Sequence, residues 1–385
     1  MRLALTGLGL LLLGALAMVT GLLPPTDALQ LGERVLPVLV FAAAITVVAE
    51  LAADAGVFTA VAGVLARVSR GRTLVLWLCV AALSILSTAF LSIDTTAVLL
   101  TPVVVLLARH AGLRPLPFAL TTVWLANTAS LWLPVSNLSN LLAAPKLSPS
   151  GAGGFLSLLW APALVASVVP VLLLFLFFRR ELSGRFRPEQ TASPSDRVLF
   201  WSSAATTVVL LPLLTTGLEP WIPTTAAAAV LLIVFAIRRR RSLSWRLFPG
   251  SLILFVCGLF LVVSAAHSLG LGRLLGGLGH GTDLPALLAM AGSGALGSNL
   301  VNNLPAYLAL EPAAGTPVSL AALLIGVNAG PLVTPWASLA TLLWHSRLQA
   351  LNVRVSWRGY LTLGLVVTPL TVLAATSALW LFAAQ

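Results

Sequence analysis

The sequence predicts an all-α polytopic membrane protein of two inverted repeats, each with a re-entrant hairpin and a broken transmembrane helix, about nine spans and two hairpins in all. Three observations predict it. Of the 385 residues, 59% are hydrophobic and only 9% charged, with mean hydropathy +1.03, a balance foreign to soluble domains. Nine apolar runs reach spanning length, and two more are interrupted at mid-length by polar clusters. The cationic side chains collect on one face of the membrane only if those two interrupted runs enter and leave on the same side.

In chain order, the run Leu3 to Leu23 follows Arg2 and is longer than the core of a signal peptide, so 1–23 reads as a first transmembrane helix. The first repeat, 24–178, opens with a span at 35–53 and an amphipathic stretch, Val57 to Arg70, suited to the inner surface. The first interrupted run, 74–108, carries Ser92, Asp94, Thr95 and Thr96 at its middle, and Pro102 weakens the helix beyond. A broken helix at 117–145 and a span at 155–178 complete the repeat. The stretch 179–197, RRELSGRFRPEQTASPSDR, is the one long polar segment and reads as a cytoplasmic linker.

Runs at 198–217 and 221–237 form a scaffold pair, 198–237. The second repeat, 238–385, starts at the run Arg238 to Arg241, a topology anchor. A span at 248–265 follows. Ala265 to Gly279 takes the place of the amphipathic stretch, then come a hairpin at 284–312, a broken helix at 317–346 and a last span at 358–382. Polar, non-helical backbone at this depth survives only against protein or a wet cavity.

With the N-terminus cytoplasmic and both interrupted runs folded as hairpins, 19 of the 22 Lys and Arg lie inside, leaving Arg34, Lys146 and Arg273 outside. Making either hairpin a full span reverses every later loop and scatters the charge. The net charge of +11 is therefore a signature of topology, and the partner is the lipid bilayer, not nucleic acid. The expected location is the plasma or inner cell membrane. Cys79 and Cys257 exclude a disulfide framework, and four scattered His give no metal motif, so no metal or cofactor is expected. No nucleophile and base stand at helical spacing, which argues for a transporter and against an enzyme.

The halves repeat each other. ANTASLWLPVSNLSNLL, Ala126 to Leu142, aligns with VNAGPLVTPWASLATLL, Val327 to Leu343, and pairs Asn127 with Asn328, Pro134 with Pro335, Asn137 with Ser338 and Asn140 with Thr341. Upstream, SIDTTAVLL is set against VNNLPAYLA, with Asp94 opposite Asn303. Inverted repeats with broken helices mark secondary transporters.

Four polar clusters converge in this scheme. The candidate substrate- or ion-binding residues are Ser92, Asp94 and Thr95 at the first tip and Asn299, Asn302 and Asn303 at the second. The breaks add Asn127, Ser136, Asn137 and Asn140, then Asn328, Thr334, Ser338 and Thr341. Singly, such residues serve equally well as glue between helices; as a set, with prolines at matched places, they point to a site. Asp94 has no Lys or Arg in the membrane core to pair with, so a titrating proton or bound cation is the reading for it. Glu50, Asp54 and Glu311 fall near the faces, where water solvates them.

At these residues the sequence resembles the arsenite/antimonite efflux permease family of the ion-transporter superfamily. LVTPWASLATLLW, Leu332 to Trp344, and VRVSWRGYLTLGLVVTPL, Val353 to Leu370, carry the likeness, along with Asn127 to Leu142 and the tips SIDTTAVLLTP and NLVNNLP. Ile93 departs from the Asn that the family places before the tip Asp. The resemblance implies arsenite/antimonite export with elevator-type alternating access, and the lone acid Asp94 points to proton antiport as its drive. A soluble ATPase subunit and a homodimer are further partners it allows. The alternative on the same scaffold is a carboxylate or other anion transporter, or a sodium/proton antiporter. Trivalent arsenic hydroxide is neutral near neutrality and both donates and accepts hydrogen bonds, which suits a Ser/Thr/Asn/carboxylate pocket. A trithiolate cage would need three cysteines and the chain has two.

Overall fold

The computed structural model describes residues 2–147, 152–186, 196–216, 218–244, 247–270 and 281–383. These residues form helices throughout, with one isolated strand-like bridge between Arg72 and Arg185. Eight helical segments are long and apolar enough to cross a membrane. Together with shorter apolar helices, they build a multi-pass membrane protein.

The first half runs α1 (Arg2–Val19), α2 (Pro25–Asp54) and α3 (Val57–Val68), the last on the amphipathic stretch. Helix α4 (Thr73–Leu91) stops at Ser92, whose φ of 100° no helix accepts. The chain reverses there into α5 (Ile93–Thr95), a π turn (Thr96–Leu100) and α6 (Thr101–His110). Pro102 cannot donate to the carbonyl one turn back, and the ladder widens just before it. Hydroxyls stitch the two arms: Thr96 donates to Ser87 Oγ and Thr88 donates to Thr96 Oγ1, each at 2.9 Å. Then come α7 (Pro115–Thr128), two 3-10 turns (Ala129–Trp132 and Pro134–Ser136), α8 (Leu138–Leu147) and α9 (Ala152–Leu182).

After α10 (Arg197–Leu213), the second half repeats the order with α11 (Trp221–Arg238) and α12 (Gly250–Ser268). The stretch expected to match the amphipathic helix, 265–279, falls mostly outside the described residues; its start is the end of α12. The second hairpin is α13 (Leu284–Val301), Asn302 at φ 118°, and α14 (Asn303–Leu310) ending in a 3-10 turn. Helix α15 (Pro317–Ala329), an irregular break and α16 (Leu339–Ala350) follow, then α17 (Trp357–Ala383).

The two positive-φ tips fix the register between repeats and correct one expectation. Ser92 (φ 100°, ψ 160°) matches Asn302 (φ 118°, ψ 155°), a separation of 210 residues (302 − 92). Asp94 is therefore opposite Leu304, not Asn303. Apolar sequence around both tips aligns equally well one residue out; the backbone reversal does not.

The halves are cross-connected. Helix α1 packs along α12, helix α11 along α2, and α9 along α17. A Cβ on Gly258 would stand 2.6 Å from the Leu11 backbone nitrogen, so α1 and α12 touch backbone to backbone. Helix α13 crosses α15 the same way at Gly326, where a Cβ would come 2.1 Å from the Ala291 carbonyl oxygen. Gly326→Ala is expected to push the second hairpin off α15 and to lower stability by about 1–3 kcal/mol. A thermal unfolding midpoint in detergent equal to wild type would contradict that contact.

Asp196 caps α10, accepting from Val198 N at 2.9 Å and Leu199 N at 3.2 Å. The Leu199 amide, then the Val198 amide and Arg238, hold its carboxyl below the usual range. A carboxyl depressed on folding stabilises above its unfolded range and loses that contribution as pH falls through the folded one. Exchange of the first-turn amides of α10 should therefore speed up in acid, and Asp196→Ala should remove that pH dependence.

Candidate functional site

Both tips and both breaks meet at one cavity of about 60 Å³. Ser92, Ile93 and Asp94 come from the first tip, and Asn302, Asn303 and Leu304 from the second. Ser136, Asn137 and Leu138 come from the first break, and Ser338, Leu339 and Ala340 from the second. The breaks have matched backbones: Asn137 (φ −149°, ψ 147°) and Ser338 (φ −140°, ψ 139°) are extended and immediately precede α8 and α16. The opposite wall is nearly all apolar: Ala42, Ile45 and Thr46 of α2 face Leu252, Phe255 and Val256 of α12, again 210 apart (252 − 42). The cavity thus sits on the pseudo-twofold relation between the halves, and none of its lining residues is Lys or Arg.

The polar atoms in this cavity are unequally committed. Asn302 donates to the Trp336 carbonyl at 2.9 Å, and its own oxygen accepts from Leu304 N. Ser136 Oγ donates to the Ser130 and Leu133 carbonyls. Ser92 Oγ is shared with Thr95. The Asp94 carboxylate makes no ion pair or hydrogen bond among the described residues. Asn137 spends its amide NH2 on Asn328 at 2.5 Å and keeps its oxygen, whereas Asn303 spends its oxygen on Leu304 N and keeps its NH2. The Ser338 hydroxyl likewise has no partner among the described residues. The site therefore presents one carboxylate, one amide oxygen, one amide NH2 and one hydroxyl: acceptors, donors and one negative charge.

Seven other residues expected at the site do not line this cavity, and the structure assigns them to its frame. Asn328 is the hub. Its oxygen accepts from Ser130 at 2.8 Å and from Asn137, and its NH2 donates to Asn140 Oδ1 at 2.8 Å and to the Leu324 carbonyl. Asn140 closes the first break by donating to the Ser130 carbonyl at 2.7 Å. Asn299 laces the second tip to the second break, accepting from Thr334 N and donating to the Gly330 carbonyl. Thr95 donates to the Leu91 carbonyl. Asn127 bonds Val123 within its own helix, and its oxygen is buried with no partner among the described residues. Thr341 is buried beside Tyr360. An Asn or Thr in an apolar run looks the same in sequence whether it faces a cavity or a neighbouring helix.

Sequence reasoning missed Thr46 and the apolar wall, for which a hydrophobic run carries no signal. It also placed Glu311 in water. Glu311 is 6% exposed, accepts from Tyr307 at 2.8 Å, and pairs with Lys146 at 3.0 Å and with Arg34. His267 has Nδ1 3.0 Å from the Val263 carbonyl and Nε2 3.2 Å from the Ala309 carbonyl, joining α12 to the second hairpin. Cys79 and Cys257 are free thiols, each half-buried.

Comparison with known proteins places these features. The sequence profile of the family described as "Citrate transporter" matches residues 2–341. The "Arsenical pump membrane protein" of Escherichia coli K12 is 31% identical over 382 residues, covering 92% of this chain and 89% of that protein. Its namesake in Yersinia enterocolitica is 29% identical, covering 92% and 88%. The crystal structure of the Alcanivorax borkumensis YdaH transporter, described as having an unusual topology, superposes with a TM-score of 0.61. It covers 100% of this chain and 98% of its own at 16% identity, a likeness of fold.

Proposed function

The chain belongs to the citrate transporter family and is a membrane transporter with arsenical pumps among its relatives; on that footing we propose that it exports arsenite and antimonite in exchange for protons. The single observation that carries this reading is the chemistry of the central cavity. It offers hydrogen-bond donors and acceptors and one carboxylate, and no lining cation. A neutral trihydroxide can satisfy such a set with its own hydroxyls. A citrate-like polyanion would meet Asp94 with like charge and nothing to neutralise it, which is why the carboxylate alternative is set second. The cavity of about 60 Å³ also suits a solute of a few heavy atoms.

Protons enter through Asp94 in this scheme, because a lone carboxylate in the membrane interior can be neutralised there only by a proton or a cation. The apolar α2–α12 wall supports elevator movement: hairpins and broken helices can slide along it without stranding polar groups. The N-terminus and the arginine-rich loops would face the cytoplasm of the inner membrane. The proposed units are the two repeats, 24–178 and 238–385, with 1–23 and 198–237 alongside and 179–197 as linker. A soluble ATPase subunit and a homodimer are compatible partners.

Everted vesicles carrying the protein should accumulate radiolabelled arsenite when an inwardly acidic gradient is imposed, and a sensitive host expressing it should gain arsenite resistance. Sodium-dependent carboxylate uptake with no arsenite transport would replace this reading with the alternative.

A further inference from the structure

A second cavity of about 700 Å³ adjoins the central one. Phe41, Val135 and Leu141 line both, and so form the partition between them. Arg34 and Lys146 line the larger cavity and not the central one. Each stands on the same helix as a partition residue: Arg34 and Phe41 on α2, Lys146 and Leu141 on α8. Both cations reach Glu311, the buried carboxylate at the end of the second hairpin. Arg34 also donates to the Leu142 carbonyl at 3.2 Å, beside Leu141.

We propose that the larger cavity is the vestibule on one side of the transport path, that Phe41, Val135 and Leu141 are its gate, and that Arg34 is the releasable pin holding the gate shut through Glu311. The inference rests on the transport reading above. The partners of Glu311 divide by element. Lys146 on α8 and Tyr307 on α14 belong to the broken helix and hairpin, and move with Glu311. Arg34 belongs to α2, the wall against which those elements would shift. Removing the last partner of a buried carboxylate strands a charge at high cost. Here, letting go of Arg34 leaves Glu311 with an ammonium at 3.0 Å and a phenol at 2.8 Å, and leaves the 35% exposed Arg34 side chain in the vestibule. The contact across the boundary is thus the one that can open without stranding Glu311. Lys146 lowers the barrier to opening, whereas Arg34 raises it.

The test uses a reporter thiol in the central cavity. In a Cys79→Ser, Cys257→Ala background, Thr46→Cys is labelled by a membrane-impermeant methanethiosulfonate applied from the vestibule side. Arg34→Gln should speed labelling about tenfold or more, and Arg34→Lys should restore the slow rate, which also shows that the fold is intact. Lys146→Gln should slow labelling, since Glu311 then depends on Arg34. Phe41→Ala should speed it with every charge in place. If Arg34→Gln and Lys146→Gln shift the rate in the same direction, or neither shifts it, the pin is overturned. If Phe41→Ala has no effect, the gate is overturned. Labelling that responds as expected in vesicles that move no arsenite would retire the substrate assignment and leave the gate standing.

Discussion

Asp94→Asn is expected to cut pH-gradient-driven arsenite transport at least a hundredfold, roughly the scale of losing an essential intramembrane acid, while leaving the protein folded. The carboxylate has no ion pair and no hydrogen bond to lose among the described residues. Replacing it by a neutral amide removes a charge from a low-dielectric setting and takes no partner away. The unfolding midpoint in detergent should therefore stay level or rise. Solute exchange at equal pH on both sides, which needs no net proton movement, should fall far less than gradient-driven accumulation. Accumulation at the wild-type rate would mean that the coupling group is elsewhere. Loss of both modes with a collapsed midpoint would make Asp94 a structural residue.

Asn328→Leu is expected to be the most destabilising single change at the site, by about 3–5 kcal/mol. It empties the hub: Ser130 loses an acceptor, Asn137 loses its only acceptor among the described residues, and Asn140 Oδ1 loses its donor, all in buried positions. The symmetry-related Asn127→Leu is the control. Among the described residues the Asn127 side chain bonds the Val123 carbonyl of its own helix and nothing else, so its loss should cost about 1 kcal/mol. Denaturant titration of the two purified variants measures the difference. Equal destabilisation would show that the cross-repeat bonds contribute no more than a bond within one helix. Because Asn328 also aims Asn137 at the cavity, its variant should lose transport even when rescued at low temperature.

The two variants mark how far the sequence could be read. The hairpins were legible because Asp94 and the Asn302–Asn303 pair are too polar for lipid, and the charge asymmetry forbids treating either run as a single span. The aligned breaks and prolines pair Asn137 with Ser338, and the structure gives both extended backbone at the cavity. The tip register was not legible: it depends on the positive φ of Ser92 and Asn302, which neither residue type announces. Nor could sequence separate Asn137, which reaches the cavity, from Asn140, three residues later and turned into the frame. The burial of Glu311 has no sequence signal, because its partners, Arg34 and Lys146, are distant in the chain.

The exchange of outer helices between the halves has a consequence for how the chain is made. Helix α1 leaves the ribosome some 240 residues before α12, against which it finally rests. At roughly 5–20 residues per second, it waits about ten to fifty seconds in the bilayer without its mate. Gly7 and Gly14, where α12 later touches α1, face lipid for that interval. Neither half can finish assembling before the other has been synthesised, so biogenesis ends in one late docking step that commits the whole molecule.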